Sequence, residues 1–139
     1  MSLKAIPLLV LALILYNALV IFSGADPANV LGREIFQLTM ASGGVWHFLV
    51  SDLLIMLAVI LLGVEVVKAT YTRGSGLADQ ALSMIVFIIF IVEFLLISKA
   101  ATSTFFIMTL LSLVDIIGGS IIGIRTARRD IGFGGNSDS

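Results

Sequence analysis

Residues 104–124 read TFFIMTLLSLVDIIGGSIIGI, an apolar run with one charged side chain, Asp115. A helix rises about 1.5 Å per residue, so about 20 residues match the roughly 30 Å hydrocarbon core of a bilayer. Comparable apolar runs lie at about 5–22, 45–67 and 80–98. Backbone amides find no water partners in lipid, and these runs are continuous instead of alternating. The sequence therefore predicts four transmembrane helices and not a barrel.

The composition is that of a chain dissolved in lipid. Hydrophobic residues make up 59% and charged residues 12%, whereas a soluble domain carries about 25% charge. Four spans leave too little of the 139 residues for a separate domain outside the membrane. We therefore predict an all-α fold: one four-helix transmembrane bundle over residues 1–131, followed by a disordered Gly-, Asn- and Ser-containing tail at 132–139.

The basic residues predict the orientation. With the amino terminus inside, Arg33 and Lys99 fall outside, and six basic residues fall inside: Lys4, Lys68, Arg73, Arg125, Arg128 and Arg129. This positive-inside bias predicts that both termini are cytoplasmic. The small residues at 23–25 leave a cleaved signal peptide as an alternative for the first run, but the run is longer than a usual signal core and favours a retained span.

The connections between spans carry recognisable signals. Asp26-Pro27 predicts the start of a short helix at the outer interface, and Ser42 can cap span two. The alternating segment 36–40 is expected either to lie extended along the interface or to dip between helices. Thr102-Ser103-Thr104 can cap span four, and the very short connection there makes spans three and four antiparallel neighbours.

Ionisable residues inside the spans are the candidate functional residues, because each costs about 2.5–3.5 kcal/mol at a helix centre. Asp115 lies near the membrane midplane and is the strongest candidate for a proton or cation site. The alternative is a neutral carboxylic acid that hydrogen-bonds a neighbouring helix. Glu93, Asp52, His47 and Asn17 share the outer half of the membrane and together can line a vestibule or a cation pocket.

Each of these outer residues also has a structural interpretation. Glu93 can reach Lys99 at the rim, His47 can lie in the interfacial belt, and Asn17 can bond a backbone carbonyl. On a helix, His47 and Asp52 would point in different directions, which weakens a site made from these two side chains. Both the site and the structural interpretation remain open from the sequence.

Two further patterns concern packing. Gly119 and Gly123 form a GxxxG sequence, which lets helix backbones approach closely either within the bundle or in a homodimer. Glu65 and Lys68 stand three residues apart at the inner end of span two, the spacing of an ordinary surface salt bridge.

Several function classes are excluded or disfavoured. The chain has no cysteine, which excludes disulfides and thiolate metal sites, and its net charge of −1 gives no case for nucleic acid. One histidine cannot by itself build a haem or zinc site in one chain. No nucleotide-binding, hydrolase or metalloprotease motif occurs, so the sequence predicts a protein without catalytic residues or cofactors.

The layout of four spans, a long first outer loop and a very short second one resembles the phosphate-starvation-inducible PsiE-type membrane proteins. The resemblance lies in LLGVEVVK at 61–68 and in the unit of spans three and four. The chain is similar too to uncharacterised four-span proteins of bacterial inner membranes. The resemblance implies a multi-pass inner-membrane protein and supplies neither a mechanism nor site residues.

Two functional hypotheses follow from the sequence. The first is an accessory or interaction subunit of a larger membrane assembly, with lipid, other membrane subunits or a second copy as partners. The second is an oligomeric proton or small-ion transporter or channel that uses Asp115 at the midplane.

Overall fold

The computed structural model describes residues 6–71 and 76–135, and within them the chain is mostly helical. A short 3-10 turn at Ser98–Ala100 joins the last two helices. The helices and strands are, in chain order, α1 (Leu9–Ile21), α2 (Pro27–Leu31), β1 (Glu34–Thr39), β2 (Val45–Leu49), α3 (Val50–Tyr71), α4 (Gly76–Leu96) and α5 (Ser103–Gly135).

Three of these helices are long and apolar enough to cross a membrane. They are α3, residues Leu77–Leu96 of α4 and residues Ser103–Ile122 of α5. α1 is apolar but shorter, since it consists of eight α-helical residues and a five-residue π-helical turn. At about 1.5 Å per residue, α1 is about 20 Å long.

The helices pack around α5, which contacts α1, α3 and α4. Its buried side chains include Phe105, Met108, Ser112 and Asp115, which recur every three or four residues and so lie on one face. The contact between α4 and α5 confirms that these two helices are neighbours. Thr102 caps α5, as predicted, because its hydroxyl oxygen accepts from the Phe105 N–H at 3.2 Å.

The two ends of the helices are distinguished by the loops that they carry. The hairpin end is the end at which α3 and α5 begin, next to strands β1 and β2. The opposite end is the end at which α3 finishes and α4 begins. α1 runs from the opposite end toward the hairpin end, because its first residues contact the end of α3 and Tyr16 reaches the α4–α5 connection.

A β-hairpin replaces the first residues of the predicted second span. β1 and β2 pair antiparallel, so residues 45–49 are extended and the helix begins at Val50. Gly43 closes the turn at φ +89°, a conformation that favours glycine, and the Met40 N–H donates to the Gly44 carbonyl at 2.7 Å. The prediction of a helix from residue 45 and of a Ser42 cap was wrong, because aromatic and β-branched residues after this turn pair with β1.

The structure also tests the predicted helix cap of α2 and the predicted ends of α4 and α5. The Asp26 side chain accepts from the Ala28 N–H, with Pro27 in the first turn of α2, which confirms the predicted cap. α4 begins earlier than the predicted residue 80, at Gly76. α5 continues to Gly135, so helix occupies the first residues of the predicted tail. Residues 136–139, like Lys4 and Arg73 of the orientation argument, lie outside the described residues.

Candidate functional site

Asp115 lies at a junction of three helices, and we call Asp115, Glu65, Lys68 and Ser83 the Asp115 cluster. Asp115 is 8% exposed, and its side chain faces the interior from α5. The Ser83 hydroxyl of α4 hydrogen-bonds its carboxylate, and Glu65 and Lys68 of α3 lie within electrostatic reach. Two ionisable side chains of α3 therefore lie near one buried carboxyl group of α5.

Glu65 links this cluster to the start of α1. Its Oε1 atom accepts from the Leu8 N–H at 2.6 Å and lies 3.8 Å from the Lys68 Nζ atom. The first N–H groups of a helix have no acceptor within the helix, and Leu8 immediately precedes α1. The predicted Glu65–Lys68 salt bridge is confirmed, and the same carboxylate also supplies an acceptor for the amino-terminal end of α1.

Gln80 of α4 makes a second polar contact with α5, one turn from the Asp115 cluster. Its Nε2 atom donates to the Ile116 carbonyl at 3.0 Å and to the Ser120 hydroxyl at 2.8 Å. A Cβ atom at Gly119 would lie 3.0 Å from the Gln80 Oε1 atom. Gly119 thus packs against α4 of the same chain, whereas the surroundings of Gly123 lie outside the part that the structure describes.

A separate polar group lies near the hairpin end, and we call Tyr16, Asn17, Glu93 and Thr102 the Asn17 cluster. The Asn17 Nδ2 atom donates to the Glu93 carboxylate at 3.3 Å and to the Leu13 carbonyl at 2.8 Å. The Tyr16 hydroxyl donates to the Lys99 carbonyl at 2.9 Å and lies 2.8 Å from the Thr102 hydroxyl. Asn17 begins the π-helical turn of α1, a feature often found at functional positions.

His47 and Asp52 belong to neither cluster. His47 lies on β2, where its Nδ1 atom is 2.9 Å from the Glu34 carboxylate, and both side chains are about half exposed. The Asp52 carboxylate accepts from the Leu49 N–H at 3.0 Å, so it caps the amino-terminal end of α3. The structure therefore brings together Asn17 and Glu93 of the predicted outer group and keeps His47 and Asp52 apart from them.

The interior polar groups are all engaged. Among the described side chains, at 6–71, 77–122 and 124–125, every buried nitrogen or oxygen atom has a hydrogen-bond partner. No group of three His, Asp or Glu side chains in those residues could hold a metal ion. The clusters can tie helices together as they stand, and proton movement through the Asp115 cluster would require rearrangement of bonds that already exist.

The sequence analysis did not single out Tyr16, Gln80 or Ser83, although each forms a hydrogen bond outside its own helix. Single Tyr, Gln and Ser residues are common in membrane helices and carry no distinctive spacing. Their importance depends on the rotation of each helix about its axis, which neighbouring helices determine.

No protein-family model matches this chain, and no curated protein and no solved structure is significantly similar to it.

Proposed function

We propose that this protein is a non-enzymatic, four-span protein of a bacterial inner membrane, with both termini in the cytoplasm, that acts as an accessory subunit of a larger membrane assembly. The observation that supports this proposal most directly is that the interior polar side chains join helices of the same chain. Asn17 with Glu93, Gln80 with Ser120, and Ser83 with Asp115 each join two helices of the same chain. Such pairs stabilise a compact helix bundle.

The outer surface supports this proposal. The long helices expose large apolar side chains along their whole lengths, such as Val59 and Ile60 of α3, Ile88 of α4 and Ile117 of α5. A partner in the membrane would contact these apolar faces. Packing of small residues and apolar surfaces is the usual basis of association between membrane helices.

The test is native mass spectrometry of the protein extracted from its own membrane in a mild detergent. We expect a stoichiometric complex that contains other polypeptides. A pure homodimer, or a monomer that never co-purifies with another chain, would contradict the proposal.

Two glycines provide variants that probe the surface without disturbing the fold. A Cβ atom at Gly63 of α3 or Gly118 of α5 would meet no atom within 4 Å. Gly63→Leu and Gly118→Leu should therefore fold normally and add bulk outside the bundle. We expect at least one of them to lose the partner while its melting temperature stays unchanged. Retention of the full complex by both variants would argue against assembly through α3 or α5.

The Asp115 cluster favours one second candidate, an oligomeric proton or small-ion transporter. The observation is that the Glu65–Lys68 ion pair of α3 lies within electrostatic reach of the buried Asp115 carboxyl group. Asp115→Asn should then abolish flux in proteoliposomes, because the amide cannot exchange a proton. Asp52→Asn is the matched control, since asparagine can still accept the Leu49 N–H. Equal flux in wild type and Asp115→Asn would rule out this mechanism.

A further inference from the structure

The β-hairpin has one apolar face. Phe36 pairs with Phe48 and Leu38 pairs with Trp46, so these four side chains lie on the same side of the two strands. The Phe36 and Phe48 rings stack with centroids 4.7 Å apart, and Trp46 meets both rings edge to face at 5.9 and 5.5 Å. We call Phe36, Leu38, Trp46 and Phe48 the hairpin apolar face.

The other face of the hairpin carries the polar side chains, together with Val45 and Leu49. Gln37 stands opposite His47, which contacts the Glu34 carboxylate at 2.9 Å. A bulge lies between Glu34 and Phe36, so Glu34 pairs with Leu49, which shares its side of β2 with His47. The extra residue thus moves the Glu34 carboxylate to the polar side and leaves the apolar face without charge.

The hairpin apolar face is largely uncovered by the chain itself. Phe36 is 45% exposed, Leu38 is 50% exposed and Trp46 is 40% exposed, while Phe48 is buried beneath them. Contiguous exposed apolar surface of this kind marks a contact with a membrane or a partner.

The chain holds this face at the boundary of a membrane-spanning helix. β2 ends at Leu49 and α3 begins at the next residue, with no linker between them. The Val50 N–H also donates to the Arg33 carbonyl at 2.9 Å, which fastens the base of the hairpin to the start of α3. The first turns of α3 also expose the apolar side chains of Leu53 and Met56.

The strand edges restrict the depth at which the hairpin can lie. A two-stranded sheet leaves one row of N–H and C=O groups unpaired on the outer edge of each strand, and such groups are not tolerated in the hydrocarbon core. They are tolerated in the hydrated headgroup region, where Trp and other aromatic side chains are enriched. Lipid at this depth satisfies both the apolar face and the polar edges.

We infer that the hairpin apolar face rests on the interfacial layer of the bilayer that the helices cross and anchors the loop between α1 and α3 to lipid. This inference goes beyond the proposed function and does not depend on whether the protein is a subunit or a transporter. It requires only that α3 spans a membrane.

Trp46 is the only tryptophan in the chain, so its fluorescence reports on this face directly. The full-length protein is reconstituted in nanodiscs of phosphatidylethanolamine and phosphatidylglycerol, with a lipid that carries a spin label either near the headgroup or near the end of the acyl chain. We expect the shallow label to quench Trp46 at least about twofold more strongly than the deep label.

A matched control moves the tryptophan to the other face. In the double variant Trp46→Phe with Gln37→Trp, the indole lies on the polar side of the same hairpin. Acrylamide in the water should quench this variant at least about twofold more strongly than wild type, and the shallow label should quench it less. If the variant fails to fold, the two lipid labels on the unmodified protein still decide the question.

Each alternative placement has its own signature. Strong acrylamide quenching of Trp46 in nanodiscs, without quenching by lipid labels, would mean that the face is in water and would overturn the inference. Protection from acrylamide and from both lipid labels would mean that protein covers the face, and stronger quenching by the deep label would place it in the hydrocarbon core. Both results would also overturn it.

Discussion

Two adjacent glycines of α5 have different surroundings and should respond differently to the same substitution. A side chain at Gly119 meets Gln80, whose amide is held by bonds to Ile116 and Ser120, whereas Gly118 is open. Gly119→Leu should destabilise the protein by about 1–3 kcal/mol, as overpacking does. Gly118→Leu should change stability by less than about 0.5 kcal/mol. Thermal melting in one detergent compares them, and equal melting temperatures would contradict the α4–α5 packing.

The two tyrosines of the chain form another matched pair. Tyr16 is fully buried and its hydroxyl bonds the Lys99 carbonyl and the Thr102 hydroxyl, while Tyr71 is 81% exposed. Tyr16→Phe keeps the ring packed against Phe105 but removes these bonds, so we expect a loss of about 1 kcal/mol. Tyr71→Phe should leave the melting temperature unchanged. An unchanged melting temperature for Tyr16→Phe would show that the hydroxyl contributes nothing to the α4–α5 connection.

At this scale the sequence identifies which residues are unusual, but it does not identify their partners. An acidic residue in an apolar run is visible at once, as Asp115 and Glu93 are. Their partners Ser83 and Asn17 lie on other helices, at 32 and 76 residues along the chain respectively. Which side chain faces which depends on helix rotation and tilt, and packing determines both.

At the scale of elements, α1 is joined to α4 by the Asn17–Glu93 hydrogen bond, which a double-mutant cycle can measure. Asn17→Leu alone leaves Glu93 without this donor and should destabilise the protein. Asn17→Leu combined with Glu93→Leu removes both polar groups and should be more stable than the separate losses predict. We expect a coupling energy of about 0.6 kcal/mol and at most about 1.7 kcal/mol, the mean and the maximum found for hydrogen bonds between membrane helices.

The cycle is read from unfolding of the purified variants in mixed micelles. Additive single losses would mean that the two side chains do not interact. The pair Asn17→Leu and Glu65→Leu is a suitable control, because Glu65 bonds the Leu8 N–H at the other end of α1.

The helices and strands also show where apolar runs in the sequence predict an element correctly and where they do not. The runs at 80–98 and 104–124 predicted α4 and most of α5, because long continuous apolar runs have few structural solutions in lipid. The run at 45–67 did not reveal β2, because Val45, Phe48 and Leu49 join the apolar residues of the helix that follows. The alternation at 36–40 was visible, but a strand needs a partner, and no local signal assigned that role to residues 45–49.

At the scale of the whole molecule, the number of membrane crossings depends on α1. At about 20 Å its described helix is shorter than the roughly 30 Å hydrocarbon core, and α1 still contacts α3, α4 and α5. A short span can be accommodated by local thinning of the bilayer at modest cost. Two observations favour a full crossing by α1. It packs against three long helices, and Leu8, just before α1, contacts Glu65 near the end of α3.

Because the chain contains no cysteine, single introduced cysteines can determine the topology. With four spans, a membrane-impermeant thiol reagent should label Ser42→Cys in the hairpin turn of intact cells. Ile6→Cys before α1 and Tyr71→Cys at the end of α3 are both exposed and should be labelled only after permeabilisation. Labelling of Ile6→Cys in intact cells, with Tyr71→Cys still protected, would mean that α1 does not cross. The molecule would then have three spans, and its termini would lie on opposite sides of the membrane.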